Sequence, residues 1–218
     1  MDKPELIYIF DPLCGWCYGF DPVMMRLERN YADEVDFVVF SGGMLVGEAA
    51  RPIAEMRGYI KSVLPTLAER TGIEVGDAFL TGILEDDTYI NDSLPPSMAL
   101  NAFKELKPEG ALAYAHDLQF AHFVEGKSLN DPATFVAVAE SNGVGAEAFM
   151  ERYQDPECRG RTEAEFELWR GLGVSGYPTL ILAGREGMRG VSRGFRTFEE
   201  LAPLLEKMLA EESAGDES

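Results

Sequence analysis

Cysteine is scarce in this 218-residue chain, with three in all. Three thiols do not make a disulfide scaffold, and a chain of this length can bury a core without one. Histidine is scarcer. His116 and His122 are six apart, so they fall on different faces of a helix, and neither follows a metal spacing. With no second CxxC, a zinc site is not expected. Basic residues are few: 19 Lys and Arg against 38 Asp and Glu, a formal net charge of −19. An acidic surface of this kind disfavours nucleic acid and anionic membranes, and reads most simply as a solvated shell. No apolar run reaches the length of a membrane span. The opening Met1-Asp2-Lys3-Pro4-Glu5 has neither a basic n-region nor an apolar h-region. No secretory leader is therefore expected, and a cytoplasmic location is. In that compartment a CxxC serves catalysis or metal binding more often than structure.

What is present is ample apolar material, 46% of residues, arranged in two different periods. Leu6 to Phe10 is a continuous apolar run of strand length. Val23, Met24, Leu27 and Tyr31 recur at helical spacing, and Val35 to Phe40 reads as a second strand. Strand, helix, strand over so short a span predicts a βαβ unit with a parallel pair. Beyond Ser41-Gly42-Gly43 the period becomes helical, and from about 50 to 158 no strand is expected. Ile53, Met56, Ile60 and Leu64 mark one apolar face, and Met98, Ala102, Phe103 and Leu106 another. Asp131-Pro132 reads as an N-cap with proline in the first turn. The aromatics Phe120, Phe123, Phe135 and Phe149 read as core.

A helix is predicted from about Thr162 to Leu172, then strands at Thr179–Leu182 and Val191–Phe195. Thr197 with Glu200 forms a capping box that opens an amphipathic C-terminal helix. These elements give a four-stranded α/β sheet with flanking helices, interrupted by an all-helical insertion after the second strand. The expected limits are 1–47 and 160–210 for the discontinuous sheet domain, 48–159 for the insertion and 211–218 for an acidic flexible tail.

Cys14-Gly15-Trp16-Cys17 lies between the first strand and the first helix. Cys14 then falls at a helix N-terminus and Cys17 one turn inside. A thiolate at the first position faces unpaired backbone N–H groups and the positive end of the helix dipole, which favours the nucleophilic form. The second thiol is close enough to close a disulfide.

CxxC after the first strand, together with Gly173-Val-Ser-Gly-Tyr-Pro-Thr179 before the third, resembles the thioredoxin fold, and the helical insertion resembles its DsbA-like variant. The resemblance spans essentially the whole chain and extends to the FrnE-like group of cytosolic predicted disulfide isomerases. It implies a thiol-disulfide oxidoreductase, a reductase or isomerase, acting on thiol or disulfide substrates that are proteins or small molecules. Cys14 would be the nucleophile and Cys17 the resolving thiol. Trp16 would offer an apolar platform. Tyr177 and Pro178 would supply a cis-proline loop whose backbone pairs with an extended substrate.

Two departures from the family pattern stand out. The dipeptide between the cysteines lacks the histidine of strongly oxidising members, which points to a less oxidising couple. Tyr8 occupies the position where a buried relay acid is frequent. Asp11 is the substitute for proton transfer, though a carboxylate bonding loop N–H groups is its plainer reading. Cys158, in a polar stretch between helices, reads as a bystander thiol.

No cofactor is expected, with glutathione admitted as a co-substrate. A second reading is a glutathione-dependent enzyme resembling kappa-class transferases or 2-hydroxychromene-2-carboxylate isomerases, against which Cys17 argues. A third is a non-catalytic module that binds a metal or a client protein.

Overall fold

The computed structural model describes residues 3–214. Strand β1 (Glu5–Phe10) leads into helix α1 (Gly15–Tyr31) and strand β2 (Asp36–Ser41), which pairs parallel with β1. Helices α2 (Ile53–Thr71), α3 (Asp77–Thr81), α4 (Leu94–Leu106), α5 (Ala111–Phe123), α6 (Pro132–Ser141) and α7 (Ala146–Tyr153) follow. The chain returns through α8 (Cys158–Gly171) to strand β5 (Thr179–Gly184), strand β6 (Gly187–Arg193) and helix α9 (Phe198–Ala214). The main sheet runs β2-β1-β5-β6, with β5 antiparallel to both β1 and β6.

Beyond Glu5, all of β1 is buried because helices cover both faces of the sheet. The period of two sorts its side chains. Leu6, Tyr8 and Phe10 face the large core shared with α1, α4, α5 and α9, whereas Ile7 and Ile9 meet Trp169 and Val174. The inserted helices join that large core directly. Phe103 stacks on Tyr114 at 4.3 Å between centroids, and Phe135, Phe149 and Leu118 belong to the same cluster as α1. Among the described residues no helix is long and apolar enough to cross a membrane.

Several local expectations hold in detail. Asp131 caps α6 by accepting from the Ala133 N–H at 2.9 Å. Thr197 and Glu200 exchange both bonds of the capping box. Others are corrected. A short antiparallel ladder, β3 (Arg51–Pro52) with β4 (Ile90–Asn91), lies within the stretch expected to hold no strand. Two residues per strand are too few to show a period. Helix α8 begins at Cys158, not near Thr162, because Asp155 nucleates it by accepting from the Glu157 N–H and the Cys158 N–H. Cys158 is thereby buried, its thiol 3.6 Å from the Met98 carbonyl, rather than lying in a polar linker. Phe120 is 41% exposed and is not core.

The tail expected from Glu211 is helical through Ala214. Arg189 pairs with both Glu211 and Glu212, and Glu212 also accepts from the Arg185 N–H at 2.7 Å. Residues 215–218 of the expected tail lie outside the described residues.

Candidate active site around Cys14 and Cys17

Cys14 is the N-cap of α1. Its extended backbone lets Sγ accept the Cys17 N–H at 3.3 Å, while its carbonyl accepts from Cys17 and Tyr18. A sulfur in this place replaces the oxygen of an ordinary capping side chain. Both thiols are free, and Cys17 is fully buried. Burial first, and Cys14 beside it second, push the Cys17 thiol well above its usual range, which favours the protonated form.

The loop after α8 reaches this dithiol. The Tyr177–Pro178 peptide is cis, and Cys14 Sγ lies 3.8 Å from the Tyr177 carbonyl oxygen. Strand β5 starts only at Thr179, so the backbone of Tyr177 stays outside the sheet ladder. The Tyr177 ring lies across Gly42 and its hydroxyl donates to the Gly42 carbonyl at 2.7 Å. A Cβ on Gly42 would fall 1.9 Å from Tyr177 Cε1, so only glycine fits under this ring. Gly43 follows with φ +65°, in the left-handed region, packed against Phe166.

Asp11 is fully buried, and its carboxylate is a joint between three segments. It accepts from Leu13 N–H at 2.9 Å, Met44 N–H at 2.6 Å and Ser93 Oγ at 2.9 Å. Burial pushes its pKa up to about 6 against the pull of those donors. Tyr8, at the position without a relay acid, is buried with its hydroxyl beside the Cys17 thiol. Desolvation, with Cys17 nearby, holds it protonated. Trp16 packs on Phe195 with centroids 6.4 Å apart, and Phe195 meets Phe20 edge-on. His116 bonds Asp21 and His122 bonds the Lys127 carbonyl. Among the described residues, no three His, Cys, Asp or Glu side chains are gathered as a metal site.

Sequence reading missed the residue that holds the loop. Gln119, fully buried in α5, directs its amide nitrogen at the carbonyls of Asp11, Pro12 and Cys14, at 3.1, 3.3 and 3.2 Å. Its one visible signal was a lone amide among Leu118, Phe120 and Ala121. Ser93, which ties Asp11 to Leu45, carried no signal at all.

An N-capping thiol, a buried partner one turn inside and a cis-proline loop against the first sulfur define a thioredoxin-type thiol-disulfide oxidoreductase. The chain belongs to the DSBA-like thioredoxin domain family, whose profile matches residues 5–202. It is similar to a provisionally assigned protein disulfide isomerase from Nitrosomonas europaea: 25% identical, TM-score 0.84, covering 96% of this chain and 99% of that one. It is also similar to the cytosolic disulfide reductase DsbM from Pseudomonas aeruginosa, at 28% identity and TM-score 0.77, covering 94% of this chain and 98% of that one. The same DsbM has been solved with GSH. Among curated sequences it resembles the ClpXP adapter protein SpxH of Bacillus subtilis, 23% identical over 99% of this chain and 71% of that protein.

Proposed function

We propose that the protein reduces or isomerises disulfides through a Cys14–Cys17 couple. The observation that carries this reading is Cys14 Sγ set between the Cys17 N–H and the Tyr177 carbonyl, with a buried, protonated Cys17 behind it. In the reducing direction the Cys14 thiolate attacks one sulfur of a substrate disulfide. A Cys14–substrate mixed disulfide forms and the second substrate sulfur leaves as a thiolate. Cys17 gives up its proton and attacks Cys14 Sγ. The Cys14–Cys17 disulfide closes and the remaining substrate sulfur is released. Two electrons pass from the dithiol to the substrate, whose two sulfurs end as thiols. Two equivalents of an external thiol then restore the dithiol, the first opening the disulfide as a mixed disulfide and the second leaving with it as the external disulfide. Glutathione suits that part in a reducing cytoplasm, in line with DsbM having been solved with GSH.

Trp16, Tyr177 and Pro178 form the substrate-facing rim, and the Tyr177 backbone offers an extended substrate a partner. Asp11, its oxygens committed to three donors, acts here as a positioning residue. Reduction of insulin by dithiothreitol tests the reading. Cys14→Ser is expected to remove the acceleration. Cys17→Ser is expected to accumulate a mixed disulfide visible by mass. Acceleration by Cys14→Ser equal to that of wild type would refute it.

A second reading, a client-binding adapter, is favoured by the name of the SpxH relatives. It predicts partner binding that survives loss of both thiols.

A further inference from the structure

Asp21 is a buried carboxylate close to the dithiol, only 3% exposed. It follows Cys17 by four positions in α1, so the two side chains stand one turn apart on one face of the helix. Tyr8 faces that turn from β1, buried, with its hydroxyl beside the Cys17 thiol and within the field of the Asp21 charge. On its other side, Asp21 Oδ2 meets His116 Nδ1 of α5 at 3.1 Å, and the His116 side chain is 33% exposed. Thiol, hydroxyl, carboxylate and imidazole thus form a row that runs from the buried sulfur to the surface.

Cys17 must lose a proton before it can attack, and it is fully buried. Asp11 is the other carboxylate near it. Both Asp11 oxygens are committed, Oδ1 to Leu13 N–H and Ser93 Oγ, Oδ2 to Met44 N–H. A proton taken up there would weaken the anchors of the loop. The Asp21 carboxylate has His116 as its one side-chain partner among the described residues. Burial raises Asp21 to about 6 against the pull of His116, so near neutral pH it is ionised and still basic enough to take a proton. Of the other groups that face it, Asp117 raises it further, and Tyr18 is kept protonated by burial and by Asp21 itself.

Resting on the oxidoreductase reading above, we infer that Asp21 takes up the proton of Cys17, reached across the Tyr8 hydroxyl and tuned by His116. As Cys17 attacks Cys14 Sγ, its proton passes to Tyr8 Oη while the hydroxyl proton of Tyr8 passes to Asp21. The S–S bond closes, the substrate sulfur leaves as a thiolate, and Asp21 ends as the carboxylic acid. When an external thiol reopens the disulfide, the same proton returns to the Cys17 sulfur. Tyr8 touches the reacting thiol, whereas Asp21 and His116 act through it.

The test mixes pre-reduced full-length protein with one equivalent of dithiobis(nitrobenzoate) and follows the coloured thiolate by stopped flow, between about pH 5 and pH 8. The first thiolate released reports attack by Cys14, and the second reports attack by Cys17. In wild type the second rate is expected to rise with pH and level off above about 6, where Asp21 is ionised. Tyr8→Phe and Asp21→Asn are each expected to slow the second release about a hundredfold at pH 7, the low end of what a positioned acid or base supplies, and to leave the first within a few-fold. The plateau is expected to vanish in Asp21→Asn, the rate climbing steadily with pH. In His116→Ala it is expected to move to higher pH, because His116 holds Asp21 down. Second release at the wild-type rate in Tyr8→Phe or in Asp21→Asn would overturn the inference and leave the redox reading intact. So would a plateau kept in Asp21→Asn and lost in Asp11→Asn. No second release from wild type would overturn the redox reading itself, and the inference with it.

Discussion

Gln119 shows how a buried amide supports chemistry without touching the reacting sulfur. Of the three carbonyls it meets, those of Asp11 and Cys14 have other donors, whereas among the described residues the Pro12 carbonyl has Gln119 alone. Gln119→Leu would strand that carbonyl in the interior, at a cost of about 1–3 kcal/mol. Gln119→Glu is expected to cost more, because a carboxylate would face three carbonyl oxygens. Urea unfolding of the two variants checks the order, and a Glu variant as stable as wild type would contradict it. Gly42 is the other residue on which the site depends. Gly42→Ala must displace the Tyr177 ring and break its bond to the Gly42 carbonyl. It is expected to lower stability by about 1–3 kcal/mol, the usual cost of overpacking, and to slow insulin reduction.

At the scale of elements, what could be read in the sequence depended on whether the deciding partner was local. The capping box at Thr197, the cap at Asp131 and the continuous apolar run of β1 were legible because near neighbours determine them. The dithiol and Pro178 were legible as motifs, but the ring seat at Gly42 was not, since Tyr177 lies 135 residues away. The α2 stripe was correctly seen as apolar, yet periodicity states only that a face is apolar and not what covers it. The end of α9 failed for the same reason. Glu211 and Glu212 look like solvated tail until Arg189, from another element, meets them. Glu212→Ala would leave the Arg185 N–H and one arm of Arg189 without their carboxylate. A loss of about 1–3 kcal/mol in thermal or urea unfolding is expected, where a frayed tail would give none.

For the molecule as a whole, burial sets an unusual pH dependence. Asp11 and Asp21 are both raised to about 6, burial being the first cause in each. An unfolded chain releases the same protons near pH 4. Between roughly pH 4 and 6 the folded state therefore holds protons the unfolded state has lost, so stability falls as pH rises through that window. His122 works the other way, because burial lowers its imidazole to about 4 and the unfolded chain takes up a proton there that the folded state refuses. The two aspartates together outweigh it, so the urea midpoint is expected to be modestly higher at pH 5 than at pH 7. Asp21→Asn, which keeps an acceptor for His116, should remove that excess, and an Asp21→Asn protein with the same pH dependence as wild type would exclude this account.

The sheet order has a consequence for how the protein is made. Cys14 leaves the ribosome 163 residues before Tyr177, the residue its sulfur finally rests against. At the usual pace of synthesis that interval is roughly 8–33 s. For that time β1 has neither its β5 neighbour nor the loop that shields the dithiol. A nascent chain thus exposes both thiols before the loop that finally rests against Cys14 has been made.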